Sequence, residues 1–430
     1  MLKRIWYQLF LWLFVSASIS AQSEYKYLYQ SLPASWSEND DSFQQILPNE
    51  DLWWKNFNDP VLDSIISIAI KQNYSVLMAA NRITMAKANL ASAKSAYSPT
   101  LQFSGGWIKQ QTSGNITAEP KSVTDYSDIA LSSSWQIDLF GSIRKRVKAE
   151  KENFAATKAE YNATMVTLCA EVASAYINLR EMQQELNVAQ RNLKSQYTVV
   201  QITEKQFEAG LNSKLDVAQA YSVYYSTKAS IPSIESSIIQ YRNNIAVLLG
   251  LYPEDVKSLT ETIAPLPNYV ETVSVGIPAT LLLRRPDLRA DVHTINSYAA
   301  LVGASKADWL PEVFVKGSIG YASHDFSKLT KKNSMTYEIA PTVTGTLFQG
   351  TKLLQATRLA KAQLDESINQ YNSDVLSAVQ EVSSAMASYR NSIKEVLAMK
   401  EMVSQGKQTF ELSLDLYKQG LTTFQNVLDA

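Results

Sequence analysis

The chain of 430 residues has one cysteine and two histidines, so neither a disulfide framework nor a His/Cys metal centre can be assembled. Cys169 falls inside a helical run and reads as a small buried apolar residue. Neither charge dominates: the formal net charge is −1, and no basic stripe marks a nucleic-acid surface. Beyond the N-terminus no apolar run approaches the ~20 residues of a membrane-spanning helix. No G-x-S-x-G or H-E-x-x-H occurs, His293 and His324 are isolated, and no Gly-rich nucleotide loop is present. These absences argue against an enzyme and imply no cofactor.

The stretch between Gly141 and Gly210 likewise contains neither glycine nor proline. As one helix it would run roughly 100 Å at ~1.5 Å per residue, far longer than a globular core can use. Ala149, Ala156, Ala163 and Ala170, then Ile177, recur at heptad spacing and form a strip against which a second rod can pack.

The N-terminus has the form of an export leader. Lys3 and Arg4 precede an apolar run from Ile5 to Val15 and the small residues Ser16, Ala17, Ser18, Ser20 and Ala21. Residues 1–21 are therefore expected to be a signal peptide, with no nearby cysteine for a lipid anchor, and 22–50 an extended segment.

Around residues 100–110 and 127–139 the apolar period changes from 3.6 to 2. Ile129, Leu131, Trp135, Ile137 and Leu139 fall on one face; Asp128, Ala130, Ser132, Ser134, Gln136 and Asp138 fall on the other. A returning helix from about Ser213 to Leu249 should be kinked at Pro232. The pattern then recurs: a helix from about Asp287 to Asp308, strands at about 312–322 and 335–347, and a second rod from Thr351. Shifted by 210 positions, Tyr161-Asn162 meets Tyr371-Asn372, Glu171-Val172 meets Glu381-Val382, and Arg180 meets Arg390. Gly210-Leu211 meets Gly420-Leu421 in the same register. This predicts a twofold internal repeat, 51–250 and 279–430, joined by a connector at 251–278. The second copy reads as incomplete, lacking its returning helix.

Amphipathic strands of about ten residues in an exported chain match a transmembrane β-barrel with a polar lumen. An ordinary soluble sheet is the alternative, but the rods leave no compact core for it to cover. Trp107, Trp135, Tyr321 and Tyr337 suit aromatic girdles. Four strands are too few to close a barrel, which needs about eight. Lipid does not tolerate an open edge, so the barrel must be shared between chains.

Three motifs then carry a resemblance over essentially the whole mature chain. They are Asp51-Leu52-Trp53-Trp54 with Asp59-Pro60; Ile277-Pro278 with Leu281-Leu282-Leu283-Arg284-Arg285-Pro286-Asp287; and the paired turns at Gly210-Leu211 and Gly420-Leu421. The sequence resembles the outer-membrane efflux proteins (TolC-like), closest to the branch serving resistance–nodulation–division pumps. That resemblance implies an α+β membrane protein, a homotrimer with a shared β-barrel in outer-membrane lipid and a coiled-coil helical barrel in the periplasm. It implies a passive duct partnered by a periplasmic membrane-fusion adaptor and an inner-membrane pump, with no nucleic acid involved. A type I secretion duct and a pore-free exported coiled-coil scaffold are the alternatives. Carried over by position, Gly210, Leu211, Gly420 and Leu421 would form the tip that meets the adaptor, and Asp415 is a candidate constriction residue. Arg284, Arg285, Pro286 and Asp287 read as a structural ion-pair turn. Where the family often has an arginine before the tip aromatic, Gln206 and Leu416 stand here, so the resemblance does not carry over the family's salt-bridge latch.

Overall fold

The computed structural model describes residues 36, 43–44, 52–111, 113, 115, 123–269, 273–274 and 284–430. The expected leader, Asp51 and the apolar half of the second motif (Ile277, Pro278, Leu281 to Leu283) lie outside them.

The two longest helices, α3 (Ser142–Glu208) and α7 (Lys352–Lys418), have 67 residues each. Shorter helices pack along them: α1 (Pro60–Gln72), α2 (Tyr74–Ser95), α4 (Lys214–Leu249), α5 (Pro253–Thr260), α6 (Pro286–Ala307) and α8 (Phe424–Asp429). Their ends follow local chemistry. Asp59 caps α1, its carboxylate accepting from the Val61 and Leu62 amides at 2.8 and 3.2 Å, with Pro60 in the first turn. Ser213 and Asp216 form a reciprocal capping box that starts α4. Pro232 does not break α4, which stays continuous past it. Burial of Ile234, Ile238, Ile245, Ala246 and Leu249 against the rest of the core offsets the ~3 kcal/mol that an interior proline costs.

The heptad strip on α3 is only half as expected. Ala149 and Ala156 are buried, Ala163 is half-buried and Ala170 is exposed. A straight helix drifts ~20° per heptad, so the strip rotates out of the seam. Val172, Ala175, Tyr176 and Leu179 take over as the buried positions. There they meet Leu62, Ile65, Ile66 and Ala69 of α1, Ile245 and Leu249 of α4, and Val256 of α5 in the largest core cluster. Cys169 lies in that cluster as a free, buried thiol, and burial pushes its pKa up. A second cluster joins Leu288, Ile295 and Val302 of α6 to Leu364, Ile368, Tyr371 and Val375 of α7. One glycine, Gly406, interrupts the side-chain surface of α7; the position 210 residues earlier, in α3, is Gln196.

The strands divide into two sheets. A short parallel pair, β1 (Phe43–Gln44) with β4 (Val273–Ser274), ties the N-terminal segment to the connector. The other four are β2 (Thr100–Gln111), β3 (Val123–Ile137), β5 (Glu312–Ser323) and β6 (Met335–Thr344), antiparallel in the order β2-β3-β5-β6. β3 begins at Val123, earlier than its alternation indicated, because Val123 to Tyr126 pair with Ile108 to Gln111 despite a polar pattern. β6 stops at Thr344, short of Leu347.

Candidate functional site

Register sorts the sheet into two unlike faces. Phe103, Leu131, Ile319 and Tyr337 stand side by side across all four strands. One residue along, on the opposite face, the row reads Gln102, Ser132, Ser318 and Glu338. On the apolar face Trp107 pairs with Ser127 near one end of β3, and Trp135 lies toward the other. Their levels are separated by roughly 27 Å along the strand at ~3.4 Å per residue, close to the ~25 Å apolar band of an outer-membrane barrel. The apolar face is open: Phe103 is 72% exposed and Tyr337 78%. The outer edges of β2 and β6 have no strand partner among the described residues.

At the far end of the rods the chain makes the same turn twice. Gly210 and Gly420 take left-handed φ values of 74° and 73°. In each turn the following leucine amide reaches back five residues, Leu211 to the Gln206 carbonyl at 2.8 Å and Leu421 to the Leu416 carbonyl at 2.9 Å. This is the Schellman closure that only glycine makes without strain. Leu211 and Leu421 project into solvent.

The structure brings these two turns together through residues that sequence reasoning missed. The Gln206 side chain donates to the Tyr417 carbonyl at 3.3 Å. Asn212 donates to the Tyr417 hydroxyl at 3.0 Å and to the Thr203 carbonyl at 2.9 Å. The position expected to have lost its latch therefore carries a neutral one. Its local signal is weak, one carboxamide four residues before Gly210 and another two beyond it, with Leu416 and Thr422 at the equivalent positions of the second turn. Removing the Tyr417 hydroxyl and the Asn212 amide separately and together (Tyr417→Phe, Asn212→Ala) should give a coupling energy of about 1 kcal/mol in a double-mutant cycle of denaturant melts. Asp415 stands apart from this latch: its side chain is mostly exposed and pairs with Lys418 at 3.3 Å.

In the Arg-Arg-Pro-Asp motif, Arg284 is exposed while Arg285 clasps Asp287 at 2.6 Å and Glu381 of α7 at 2.7 Å. Burial pushes the Asp287 carboxyl up, but the Arg285 hydrogen bond and the Leu288 amide outweigh it and hold the pKa below the usual range. One turn on, Asp291 behaves oppositely. Burial, then Asp374 of α7, Asp287, and Glu160 of α3 push its pKa from 3.8 to about 6. The folded chain thus holds a proton there that the unfolded chain releases, so Asp291 costs stability as pH rises through that window. Asp291→Asn should raise the melting temperature above pH about 6 and leave it unchanged below about 4. Screening at a half-buried site limits the gain to roughly 1–2 kcal/mol.

A third constellation fixes the rods' midsection. Arg180 of α3 is 1% exposed; it donates to the Tyr176 hydroxyl at 3.0 Å, to Gln183 at 2.8 Å and to the Thr262 carbonyl at 2.5 Å. The Tyr176 hydroxyl donates in turn to Asp59 at 2.7 Å, and burial together with that carboxylate pushes its pKa up to about 12. Elsewhere His293 contacts Glu152 at 2.8 Å, and His324 contacts the Asp125 carbonyl. Among the described residues no group of three His, Cys, Asp or Glu is placed to hold a metal, and no helix is long and apolar enough to cross a membrane.

The family model described as Outer membrane efflux protein matches residues 65–251 and 277–430. Nodulation protein T of Rhizobium leguminosarum bv. trifolii is 29% identical, across 93% of this chain and 85% of its own length. The pyoverdine export outer membrane protein OpmQ of Pseudomonas putida is 27% identical, across 92% and 85%. Among solved structures, the outer-membrane channel OprN superposes with a TM-score of 0.87 at 27% identity, covering 92% of this chain and 89% of that one. A family match over both halves, coincident with two long rods and a two-faced sheet, leaves one conclusion: the chain belongs to the outer membrane efflux protein family.

Proposed function

We propose that this chain is the outer-membrane duct of a tripartite efflux pump, acting as a homotrimer. Three copies pool their four-stranded sheets into one barrel, the apolar face toward lipid and the Gln102–Glu338 row toward the bore. The observation that carries this is the row Phe103, Leu131, Ile319 and Tyr337, exposed on a sheet whose outer edges have no strand partner among the described residues. Water makes the apolar face costly and lipid makes unpaired strand edges costly; only closure with further copies in a bilayer relieves both.

In this reading α3 and α7 carry the bore through the periplasm, and the two organising units are the repeats at 51–250 and 279–430. The turns at Gly210-Leu211 and Gly420-Leu421 present two exposed leucines to the helical hairpins of an adaptor. Asp415, in three copies, adds acidic charge near that mouth. Transport energy comes from the inner-membrane pump; the duct is passive, and cargo selection rests mainly with its partners.

Reconstitution in planar bilayers tests the reading. The purified protein should cross-link as a trimer and give discrete conductance steps. A monomer that gives no steps would instead support a pore-free scaffold.

A further inference from the structure

We infer that the outer rim of the sheet docks phosphorylated lipid headgroups, through a loop that joins β5 to β6 and a lysine on β2. This deepens the proposed function and rests on the sheet being a barrel wall.

The loop is built. Asp325 accepts from the Ser327 amide and hydroxyl at 2.9 and 2.8 Å, the Ser334 hydroxyl reaches the Lys328 carbonyl at 2.8 Å, and Leu329 is 3% exposed. The His324 contact with the Asp125 carbonyl ties the loop across the top of β3. Phe326 and Leu329 line one recess with Phe103, Trp107 and Ile129, so the loop continues the apolar face and leaves Phe326 projecting beyond it.

Charge at this rim is lopsided. Lys109 follows Trp107 on the same face of β2, and Lys328, Lys331 and Lys332 stand on the loop; all four are exposed. The described acids here are Asp125, Asp128, which stands on the opposite face of β3 beside the recess, and Asp325, which is committed to Lys328 at 3.4 Å. Lys109, Lys331 and Lys332 have no carboxylate partner among the described residues. The opposite end of the sheet differs: Arg144 pairs with Asp138 at 3.1 Å and Arg146 with Asp308 at 2.6 Å. Unpaired lysines behind an exposed aromatic, just past an apolar band, are what an anionic membrane surface recognises. The aromatic seats at the boundary, and each lysine near the surface adds attraction for anionic headgroups.

The test uses the full chain reconstituted in vesicles of phosphatidylcholine alone, or with added bisphosphorylated lipid A or its dephosphorylated form. Retained lipid is read by native mass spectrometry and the pore by conductance. Wild type should retain the bisphosphorylated lipid at least tenfold over the dephosphorylated one. The variant Lys328→Gln/Lys331→Gln/Lys332→Gln should lose that preference while conducting normally in plain phosphatidylcholine. Equal retention by wild type and variant, or retention indifferent to the phosphates, with conductance intact, would overturn this inference alone. Absence of conductance from wild type in phosphatidylcholine would overturn the barrel reading and this inference with it.

Discussion

Gly320→Ala is expected to abolish assembly of the four-stranded sheet. A methyl group at residue 320 would sit 2.3 Å from the Ile129 carbonyl oxygen and 2.9 Å from the Ala130 Cα, both backbone atoms of β3. Neither can move without parting the β3–β5 ladder, in which Gly320 is paired with Ala130. Overpacking against flexible side chains usually costs ~1–3 kcal/mol; against a fixed backbone the cost should be about 3 kcal/mol or more. Gly105→Ala and Gly317→Ala supply the controls, because a methyl there finds its nearest neighbours at 3.6 and 3.7 Å. Folded protein recovered from membranes should therefore collapse for residue 320 and stay near wild type for residues 105 and 317. Comparable yields for all three would show that β5 does not press on β3 in the assembled wall.

Arg180→Met should be the most damaging change in the helical region. The substitution nearly preserves volume but removes every donor that reaches Tyr176, Gln183 and the Thr262 carbonyl. The Gln183 carboxamide oxygen then stays buried without its donor, the Thr262 carbonyl loses the bond that holds its segment to α3, and Asp59 loses the cation beyond the Tyr176 hydroxyl. Breaking a buried charged network from one side costs ~3–5 kcal/mol. Arg180→Lys should recover only part of this, since an ammonium cannot span three acceptors set by a planar fork. Thermal melts in detergent would read the loss. Proteolysis should cut residues 260–264 more readily, because the Thr262 carbonyl and, through Gln183, the Thr260 carbonyl are held by this network. A melting temperature within a degree of wild type for Arg180→Met would refute the assignment.

The parts of the fold that could be read in advance are those written as periodicity or as backbone exceptions. The rods are legible because Gly141 and Gly210 bound a run without helix breakers. The sheet faces are legible because residues such as Phe103 and Gln102 alternate with period two, and the tips because a glycine must take the left-handed turn. Long-range side-chain partnerships have no such signature. Gln206 finds Tyr417 across 211 residues and Arg285 finds Glu381 across 96, and neither spacing is encoded locally. The pairing of Phe43 with Val273 escapes for another reason: a two-residue strand has no period to detect. The alanine strip shows the opposite failure, a genuine repeat whose burial fades because 3.6 and 3.5 drift apart.

Gly406 makes α7 mechanically unlike α3. A glycine inside a helix stands ~1 kcal/mol above alanine, so the turn around it opens roughly fivefold more often. In the proposed threefold assembly those soft points share one height, and only one rod of each pair carries them. Any narrowing or widening of the passage that bends helices would then be borne by α7, with α3 serving as the stiff stave beside it.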